Sequence, residues 1–469
     1  MEPNDLLRPG ENCWKSENAE RASLLIDGEE YFRAVRNAMM QARSRIIMQS
    51  WDLDTRVEMH DTQGEVTGPL ALGPFIEWLV KRNPGLHIYI LRWDIGSIKT
   101  LGRGLTFWTL LRWIFHPRIH LKLDRHHPAM ASAHGKVISI DQGTAFCGGI
   151  DVTERRWDTR EHCDHNPRRA PPGGDDYGPW HDASMIVQGP VARALSEYSE
   201  KRWKSAGGRD MVPPHPTAHS WPDYLEPQFR DVEVAIARSQ PEMSDQVEVR
   251  EIERLFLDMI ASAKRWIYAE SQYFASSAIA DAIEERLSSD DCPEIVLLNP
   301  VTADGPIESA IMQPQRAVLL EKLKEHPNAE RLQVYHPITA QGKEIYCHAK
   351  IMIADDDMLR IGSANLNNRS MGLDTECDLA LCSKGDEAMQ SRIAEVRADL
   401  LGEHLSQPVE AILSRLDETG SLIDVIEHFS SIAKDAGKKR LRPYRFPDHG
   451  PVARMIGESN LMDPDTGGK

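Results

Sequence analysis

The sequence predicts an α/β fold made of two duplicated halves. The first observation is alternation: helical patterns and short apolar strands follow one another along the chain, which is typical of an α/β sandwich with a partly parallel sheet. The second is repetition, because the pattern His-x-Lys-x-x-x-x-Asp occurs twice, beginning at His134 and at His348. A repeat that extends into its flanking residues indicates an internal duplication.

The two motifs align without a gap. His134, Lys136 and Asp141 have the same spacing as their counterparts in the second motif, which are His348, Lys350 and Asp355. Downstream, the register pairs Gly148 with Gly362, Gly149 with Ser363, Asp151 with Asn365, and Arg155 with Arg369. Two further pairs of segments resemble each other, namely 42–52 with 263–273 and 181–189 with 376–384. The duplication therefore extends well beyond the motifs.

The same order of elements is predicted in both halves. In the first half, apolar spacing predicts helix 31–42, strand 46–48, helix 74–80 and strand 88–91. In the second half it predicts helix 250–264, strand 266–270, helix 277–288, strand 294–298, helix 307–325 and strand 332–335. The second motif is predicted as strand 351–354, turn 355–357 and returning strand 358–361, followed by helices near 386–404 and over 408–435.

The domain plan follows from the repeat and from changes in composition. We expect a polar lead-in, a first repeat, a Pro-rich linker, a second repeat, and a helical extension with a loose tail, at residues 1–22, 23–210, 211–235, 236–410 and 411–469. Within the first repeat, the long insertion 153–180 directly precedes His181 and Asp182. Long irregular insertions are often functional, so we expect this one to form part of the rim of the site.

Composition limits the classes of function. Hydrophobic residues make up 41% of the chain and charged residues 27%, as in soluble globular proteins. The net charge of −17 argues against a general nucleic-acid binder. The seven cysteines contain no Cys-x-x-Cys pair, which favours reduced thiols. Neither a secretory signal nor an apolar run of about 18 residues is visible. We therefore expect a cytoplasmic protein, or one in peripheral contact with a membrane.

The motifs suit the chemistry of a phosphodiester. A histidine and a lysine two residues apart on a strand share one face and form a cationic spot for an anionic substrate. Two imidazoles, which titrate near pH 6.5, can divide the roles of nucleophile, acid and base. Lys136 and Lys350 supply positive charge, and Ser363 and Asn365 supply donors, whereas Asp151 occupies the position of Asn365 in the first half. This logic requires no metal and no cofactor.

The paired motifs, followed by GGID in one half and GSANLNNRS in the other, resemble the phospholipase D superfamily over roughly residues 20 to 410. The segments GGIDVTERRWDT and YGPWHDASMIVQGP resemble its phosphatidylcholine-type branch. The resemblance implies two α/β/α sandwich halves with mixed sheets, related by a pseudo-twofold axis with one shared active site. One chain carries both motifs, so a monomer can hold a complete site.

The resemblance also implies roles for the motif residues. His134 would be the nucleophile and His348 the general acid and then base, through a phosphohistidine intermediate. The catalytic set is His134, Lys136, Asp141, His348, Lys350 and Asp355, of which Asp141 and Asp355 would be mainly structural. Asp182 and Glu376 occupy matching positions at strand starts and are candidates to orient the histidines. Surface carboxylates beside a strand are the alternative interpretation of both.

The leading hypothesis is a phospholipase D that acts on phosphatidylcholine or a related glycerophospholipid and can also transfer the phosphatidyl group to an alcohol. The alternatives are a phosphatidyl transferase of the cardiolipin synthase type, a nuclease or other phosphodiesterase of the superfamily, and an inactive lipid-binding scaffold. The acidic balance counts against nucleic acid as a partner, and the intact histidines and lysines count against the scaffold.

A basic and aromatic stretch at residues 95–126 stands out in this acidic chain. It carries Arg103, Phe107, Trp108, Arg112, Trp113 and Phe115. Such a combination suits contact with a bilayer surface. The alternative is an amphipathic helix that packs on the sheet and exposes ordinary solvated arginines.

Overall fold

The computed structural model describes residues 6–60, 67–94, 105–170, 174, 176–215, 219–302, 306–445 and 463, without the side chains of 105–107 and 306–311. The first-half strands are β1 (Lys15–Ile26), β2 (Arg45–Ser50), β3 (His87–Trp93), β4 (Ile119–Asp124), β5 (Val137–Ile140), β6 (Thr144–Gly148), β7 (Trp180–His181) and β8 (Ala183–Gln188). The later strands are β9 (Phe229–Gln240), β10 (Val249–Arg250), β11 (Trp266–Glu270), β12 (Glu294–Leu298), β13 (Leu332–Ile338), β14 (Tyr346–Cys347), β15 (Ile351–Ala354), β16 (Met358–Gly362), β17 (Glu376–Cys382) and β18 (Arg440–Pro443).

The helices of the described residues follow the same chain order. They are α1 (Asp27–Gln41), α2 (Leu72–Arg82), α3 (Leu105–Ile114), α4 (Pro190–Ser205), α5 (Glu251–Ser262), α6 (Ser277–Leu287), α7 (Pro306–Lys324), α8 (Glu387–Leu405), α9 (Val409–Thr419) and α10 (Leu422–Asp435). A short π-helical turn lies at Arg369–Leu373. Among these helices, none combines the length and the apolar character that crossing a membrane requires.

One mixed sheet of sixteen strands runs through the described part of the molecule. On one side of its centre the order is β1-β8-β6-β5-β2-β3-β4, and on the other it is β9-β17-β16-β15-β11-β12-β13 with β18 at the edge. The two runs correspond strand for strand, counted outward from β1 and β9. In both runs the strands nearest the centre pair antiparallel, and the pairs farther out, β2–β3 and β11–β12, are parallel. Antiparallel pairing of β1 with β9 joins the runs. The strand order thus repeats as the duplicated motifs predict.

Helices cover both faces of the sheet. One face carries α4 together with α8, α9 and α10, whose apolar side chains share a core with strands of both halves. The other face carries α1 and α2 over the first half and α5, α6 and α7 over the second. The predicted α/β fold with mixed sheet and helical layers is confirmed, with the difference that the two halves contribute to one continuous sheet.

The two central strands lie where the sequence predicted none. β1 begins at Lys15, inside the segment expected to be a polar lead-in, and β9 begins at Phe229, inside the expected linker. The start of β1, KSENAE, has no apolar run because much of it is only partly buried. Strands at the centre of this sheet gain order from pairing on both sides, which a local hydrophobic pattern does not show.

The basic and aromatic stretch forms α3 and β4. Trp113 is buried at 1% exposure and its Nε1–H donates to Glu77 at 3.2 Å, so the expected bilayer contact is wrong for this residue. Trp108 and Phe115 are 63% and 81% exposed, and Arg112 is exposed beside Glu77. Two members of the predicted set lie outside the described residues, namely Arg103 and the side chain of Phe107.

Candidate active site

The two motifs meet where the halves join. His134 lies just before β5, and its backbone N–H donates to the Thr375 carbonyl at 2.9 Å. His348 lies just before β15, and its backbone N–H donates to the His181 carbonyl at 2.7 Å. His134 is therefore fixed by backbone of the second half, and His348 by backbone of the first. The start of β5 thus contacts the chain just before β17, and the start of β15 contacts β7, so the two contacts correspond between the halves.

Each motif histidine also contacts a buried carboxylate from the opposite half. His134 Nδ1 lies 2.9 and 3.0 Å from the two carboxylate oxygens of Glu376. His348 Nδ1 lies 2.6 Å from Asp182 Oδ2. The positions of Asp182 and Glu376 match the orienting role expected of them, because a carboxylate on Nδ1 fixes the ring and leaves Nε2 for chemistry.

The motif lysines lie close to the histidines. Lys136 Nζ donates to the His134 carbonyl at 2.8 Å and lies 3.3 Å from Asp151 Oδ2. Lys350 Nζ contacts the His348 carbonyl and lies 3.2 Å from His348 Nδ1. Lys136 reaches the cavity wall, whereas Lys350 is fully buried behind His348. The two lysines are thus related by sequence but differ in access to a substrate.

The motif aspartates are not brought to the site. Asp141 accepts from the backbone N–H groups of Arg43, Ser44 and Arg45 at 2.6, 3.0 and 2.8 Å. Asp355 accepts in the same way from Lys264, Arg265 and Trp266 at 2.9, 2.8 and 2.8 Å. Each aspartate caps the chain at the start of a neighbouring strand, and neither lines the cavity, so their listing in the catalytic set is corrected. Their positions match the mainly structural role that was expected of them.

Two serines support Glu376. Ser363 Oγ donates to Glu376 Oε2 at 2.5 Å, and Ser370 Oγ donates to Oε1 at 2.8 Å. Ser363 was expected to offer its hydroxyl to the substrate; the structure corrects this, because the hydroxyl is engaged with the carboxylate. Ser370 was missed, since its counterpart in the aligned first half is Arg156 and the repeat gave no signal.

A cavity of about 490 Å³ opens between the motifs and is lined by both histidines, Lys136, Asp151 and Asn365. Asn365 Oδ1 is buried and has no hydrogen-bond partner among the described residues, so Asn365 keeps polar capacity for a ligand. Asp151, in contrast, accepts from the Trp51 backbone N–H at 3.0 Å and pairs with Lys136. Although Asp151 and Asn365 occupy matched positions, Asp151 is engaged with protein groups, whereas the Asn365 side chain has an oxygen left for a ligand.

Charged and aromatic side chains form the rest of the cavity wall. Three arginines line it, Arg155, Arg156 and Arg369, together with the carboxylates of Asp52, Glu154 and Asp374. The rings of Trp51 and Trp93 also line the cavity and stack with centroids 5.5 Å apart. The predicted rim is confirmed in part, because residues 153–156 of the insertion border the cavity and Trp180 at its end packs 5.0 Å from His348. None of these arginines or tryptophans was selected from the sequence as a site residue.

The two histidine–carboxylate pairs differ in charge. Burial alone would raise the pKa of Glu376, but His134 and the hydrogen bond from Ser363 lower it to about 2, so Glu376 is ionised. Burial raises the pKa of Asp182 to about 7, against the lowering effect of Lys350. Burial, followed by the positive charge of Lys350, lowers the pKa of His348 well below its usual range. The Asp182–His348 pair thus keeps an acidic proton up to about pH 7.

Lys350 itself is affected by the same environment. Burial lowers its pKa to about 7, and the Asp182 carboxylate partly offsets this effect. An anion in the cavity would raise the pKa values of both Lys350 and His348, because negative charge stabilises their protonated forms. Lys350 and His348 would therefore stay protonated to a higher pH when a phosphodiester is bound.

Comparisons with known proteins agree with this geometry. A family model described as "Cardiolipin synthase, PLD-like domain" matches residues 256–399. Phospholipase D alpha 1 of Nicotiana tabacum is 23% identical over 93% of this chain and 73% of its own length. Phospholipase D1 of Saccharomyces cerevisiae is 23% identical over 83% of this chain, which spans only 29% of that relative.

A solved structure shows the same fold. The phosphatidylserine synthase of Haemophilus influenzae Rd KW20 superimposes with a TM-score of 0.56 at 12% identity, over 89% of this chain and 95% of that one. The paired motifs, the repeated strand order around one cavity, the family model and the relatives agree with one another: the chain is similar to members of the phospholipase D superfamily.

Proposed function

We propose that the protein is a phospholipase D that cleaves the distal phosphodiester of a glycerophospholipid, with phosphatidylcholine as the leading substrate. The observation that carries the proposal is the cavity between two histidines, each held at Nδ1 by a buried carboxylate of the opposite half. Two imidazoles facing one cavity supply the nucleophile and the proton donor that phosphodiester cleavage requires.

The different charge states of Glu376 and Asp182 favour different roles for the two histidines. Ionised Glu376 accepts the Nδ1–H of His134, so Nε2 is the nitrogen that remains for attack on phosphorus. The Asp182–His348 pair retains a proton and is suited to deliver it to the headgroup oxygen. This assignment agrees with the order that the family resemblance implies, with His134 as nucleophile and His348 as general acid.

The proposed reaction has two steps. In the first, a bond forms between His134 Nε2 and phosphorus, the bond to the headgroup oxygen breaks, and His348 protonates the leaving alcohol. In the second, His348 removes a proton from water, which attacks phosphorus, releases His134 and gives phosphatidic acid. An alcohol in place of water gives a transphosphatidylation product. Lys136 and the arginines that line the cavity offset the negative charge on the phosphoryl oxygens.

The aromatic wall supports a cationic headgroup. Trp51 and Trp93 border the cavity, and Trp51 stands edge-on to His134 with ring centroids 6.3 Å apart. Quaternary ammonium groups bind to the faces of tryptophan rings.

A phosphatidyl transferase is the second candidate. It would use the same intermediate and pass the phosphatidyl group to a lipid alcohol instead of water. The match of residues 256–399 to a family model described by cardiolipin synthase supports it. The two candidates differ in the acceptor of the second step, so products distinguish them.

We also propose that α3 meets the bilayer that holds the substrate. Trp108, Ile114 and Phe115 are exposed at 63%, 60% and 81%, and Arg112 is exposed next to them. Aromatic and aliphatic side chains beside a cation suit the interface of an anionic or zwitterionic membrane. A peripheral contact at this helix would bring the protein to its lipid substrate.

The test is turnover of phosphatidylcholine vesicles containing phosphatidylglycerol, with ethanol present and no added divalent cation. We expect free choline and phosphatidylethanol from the wild type and from His428→Ala, which changes an exposed histidine outside the cavity. His134→Ala and His348→Ala should each lower the rate by at least about 1000-fold. Cardiolipin without choline release would favour the transferase, and wild-type rates in both variants would refute the proposed site.

A further inference from the structure

A second cluster of chemistry-bearing side chains lies behind His348. Asp27, His162, His181 and Glu403 are buried there, and their ligating atoms lie within 4.8 Å of one another. The imidazole nitrogens His162 Nε2 and His181 Nδ1 lie 3.0 and 2.9 Å from the same oxygen, Glu403 Oε1. They also lie 3.2 and 3.1 Å from the two carboxylate oxygens of Asp27. Two nitrogens and two carboxylates thus surround one point.

Hydrogen bonds satisfy this cluster only in part. His162 Nε2 and Glu403 Oε1 form one at 3.0 Å, whereas His181 Nδ1 and Asp27 Oδ2 approach the other members without meeting strict hydrogen-bond geometry among the described residues. Both residues are fully buried, where a polar atom without a partner is destabilising. Two imidazole nitrogens and two carboxylates that converge in this way form a donor set that a cation can share.

The other nitrogen of each imidazole is held by a second carboxylate. His162 Nδ1 lies 3.0 Å from Asp158 Oδ2, and His181 Nε2 lies 2.7 Å from Glu270 Oε2. This is the arrangement in which a carboxylate fixes the tautomer and orientation of a metal-ligating histidine. Asp158 is itself fixed by Arg169 Nη1 at 3.0 Å, so the outer groups are well anchored.

We propose that Asp27, His162, His181 and Glu403 bind one Zn²⁺ ion as a closed, tetrahedral, structural site. Zinc ligands about 2.0–2.1 Å from the metal are separated from one another by roughly 3.3–3.4 Å. The four measured nitrogen–oxygen separations of 2.9–3.2 Å are close to that spacing. Two carboxylates balance the charge of the ion, and the two nitrogen ligands disfavour Ca²⁺ and Mg²⁺, which prefer oxygen.

The ion would join four segments that are distant in sequence. Asp27 begins α1, His162 lies in the insertion, and Glu403 lies in the last turn of α8. His181 lies on β7 directly before Asp182, and its carbonyl accepts the backbone N–H of His348. Zinc at this point would therefore position the Asp182–His348 pair without touching the substrate. The wide separation of the four residues explains why motif spacing did not reveal the site.

Metal content tests the proposal without any substrate, so its outcome is independent of the proposed function. The untagged full-length protein, purified without chelator, should contain about one zinc ion per chain by elemental analysis. His162→Asn and Glu403→Gln should lower that ratio by roughly tenfold or more. His428→Ala, which changes an exposed histidine, should retain it. His404→Gln tests the neighbouring group of His181, Glu270 and His404, and it should also retain zinc.

Cobalt substitution tests the site in the wild-type protein, so its result does not depend on whether the variants fold. Wild-type protein treated with chelator and then given Co²⁺ should show the visible absorption of four-coordinate cobalt, and added Zn²⁺ should raise its melting temperature. A folded wild-type protein without bound zinc, and without a cobalt spectrum or a melting shift, would overturn the proposal. Zinc retained in folded His162→Asn, or lost only in His404→Gln, would also overturn the assigned ligand set.

Discussion

At the scale of single residues, the site is defined by the contrast between its two carboxylates. Glu376 accepts from Ser363, Ser370 and His134 and stays ionised, with its pKa lowered to about 2. Asp182 accepts from the Ala183 backbone N–H and contacts His348, and burial raises its pKa to about 7. Similar residue types in matching positions thus provide one pair suited to attack and one suited to proton delivery.

This contrast predicts the pH dependence of the reaction. A proton donor must be protonated to act, so kcat/KM should fall as the pH rises through about 7, where the Asp182–His348 pair loses its proton. Deprotonation of Lys350 near the same pH acts in the same direction. Initial rates on a short-chain phosphatidylcholine between about pH 5 and about pH 9 measure the profile. A value of kcat/KM that stays constant or rises across this range would contradict the assignment.

The serines behind Glu376 carry a separate prediction. Ser363→Ala or Ser370→Ala removes a hydroxyl that holds the carboxylate against His134, and each should lower kcat by roughly 10- to 100-fold with KM little changed. Ser383→Ala is the matched control, because its hydroxyl donates to Asp357 at 2.5 Å, away from the cavity. Equal effects of all three substitutions on kcat would mean that the serines stabilise the fold without positioning Glu376.

Much of the residue-level site follows from the repeat. The duplication alone identifies both histidines and both lysines. The alignment of 181–189 with 376–384 places His181 opposite Glu376, whereas the strand pairing of Gly148 with Ser184 and of Gly362 with Asp378 brings Asp182 and Glu376 to matching positions. It does not show that Ser363 is engaged with Glu376, or that Asp141 and Asp355 cap distant backbone, because both facts depend on how neighbouring strands approach in space. Ser370 has no matching serine in the other half, so aligning the two halves does not reveal it.

At the scale of elements, α3 is the helix whose proposed role, contact with a membrane, is most clearly separate from the chemistry in the cavity. Its exposed apolar side chains are absent from the cavity wall, so they can affect access to a membrane without changing the chemistry. Burying one large apolar side chain is worth about 1.5–3 kcal/mol. The helix should therefore contribute measurably to the binding of vesicles.

Replacing both Trp108 and Phe115 with serine tests this role. We expect turnover of phosphatidylcholine vesicles to fall by at least about tenfold, while turnover of a dispersed short-chain substrate stays the same. Val247→Ser is the control, because Val247 is 78% exposed on another part of the surface. An equal loss on both substrates would point to damage at the site, and unchanged vesicle turnover would remove α3 from the membrane contact.

Seven strands of the sheet were predicted from their local pattern, namely β2, β3, β11, β12, β13, β15 and β16, and the reason why the two central strands were not is physical. The strands next to the motifs are short, apolar and fully buried, so their pattern is local. β1 and β9 carry many polar residues and are ordered by pairing with each other across the centre of the sheet. No local pattern contains that information.

At the scale of the whole molecule, one chain builds one site from two matching halves. Each histidine is held by a carboxylate and by backbone of the opposite half. The duplication in the sequence predicted two similar halves, whereas the continuous sheet that joins them appears only in the structure. The halves are therefore parts of a single catalytic unit.

Mixing variants tests whether the unit is complete within one chain. Equal amounts of His134→Ala and His348→Ala should give only the sum of their separate residual activities, because neither chain contains both histidines. Co-expression of the two variants, followed by purification and rate measurement, covers the case in which exchange between copies is slow. Activity well above that sum would show that two copies share sites.

The central claim, that His134 attacks phosphorus while His348 handles the proton, is tested most directly by locating the covalent intermediate. Wild-type protein turning over short-chain phosphatidylcholine is quenched in alkaline denaturant, digested and analysed by mass spectrometry. The account predicts a phosphatidyl adduct on the peptide containing His134, and none in the His134→Ala variant. An adduct on the His348 peptide, or substantial turnover by His134→Ala, would contradict it.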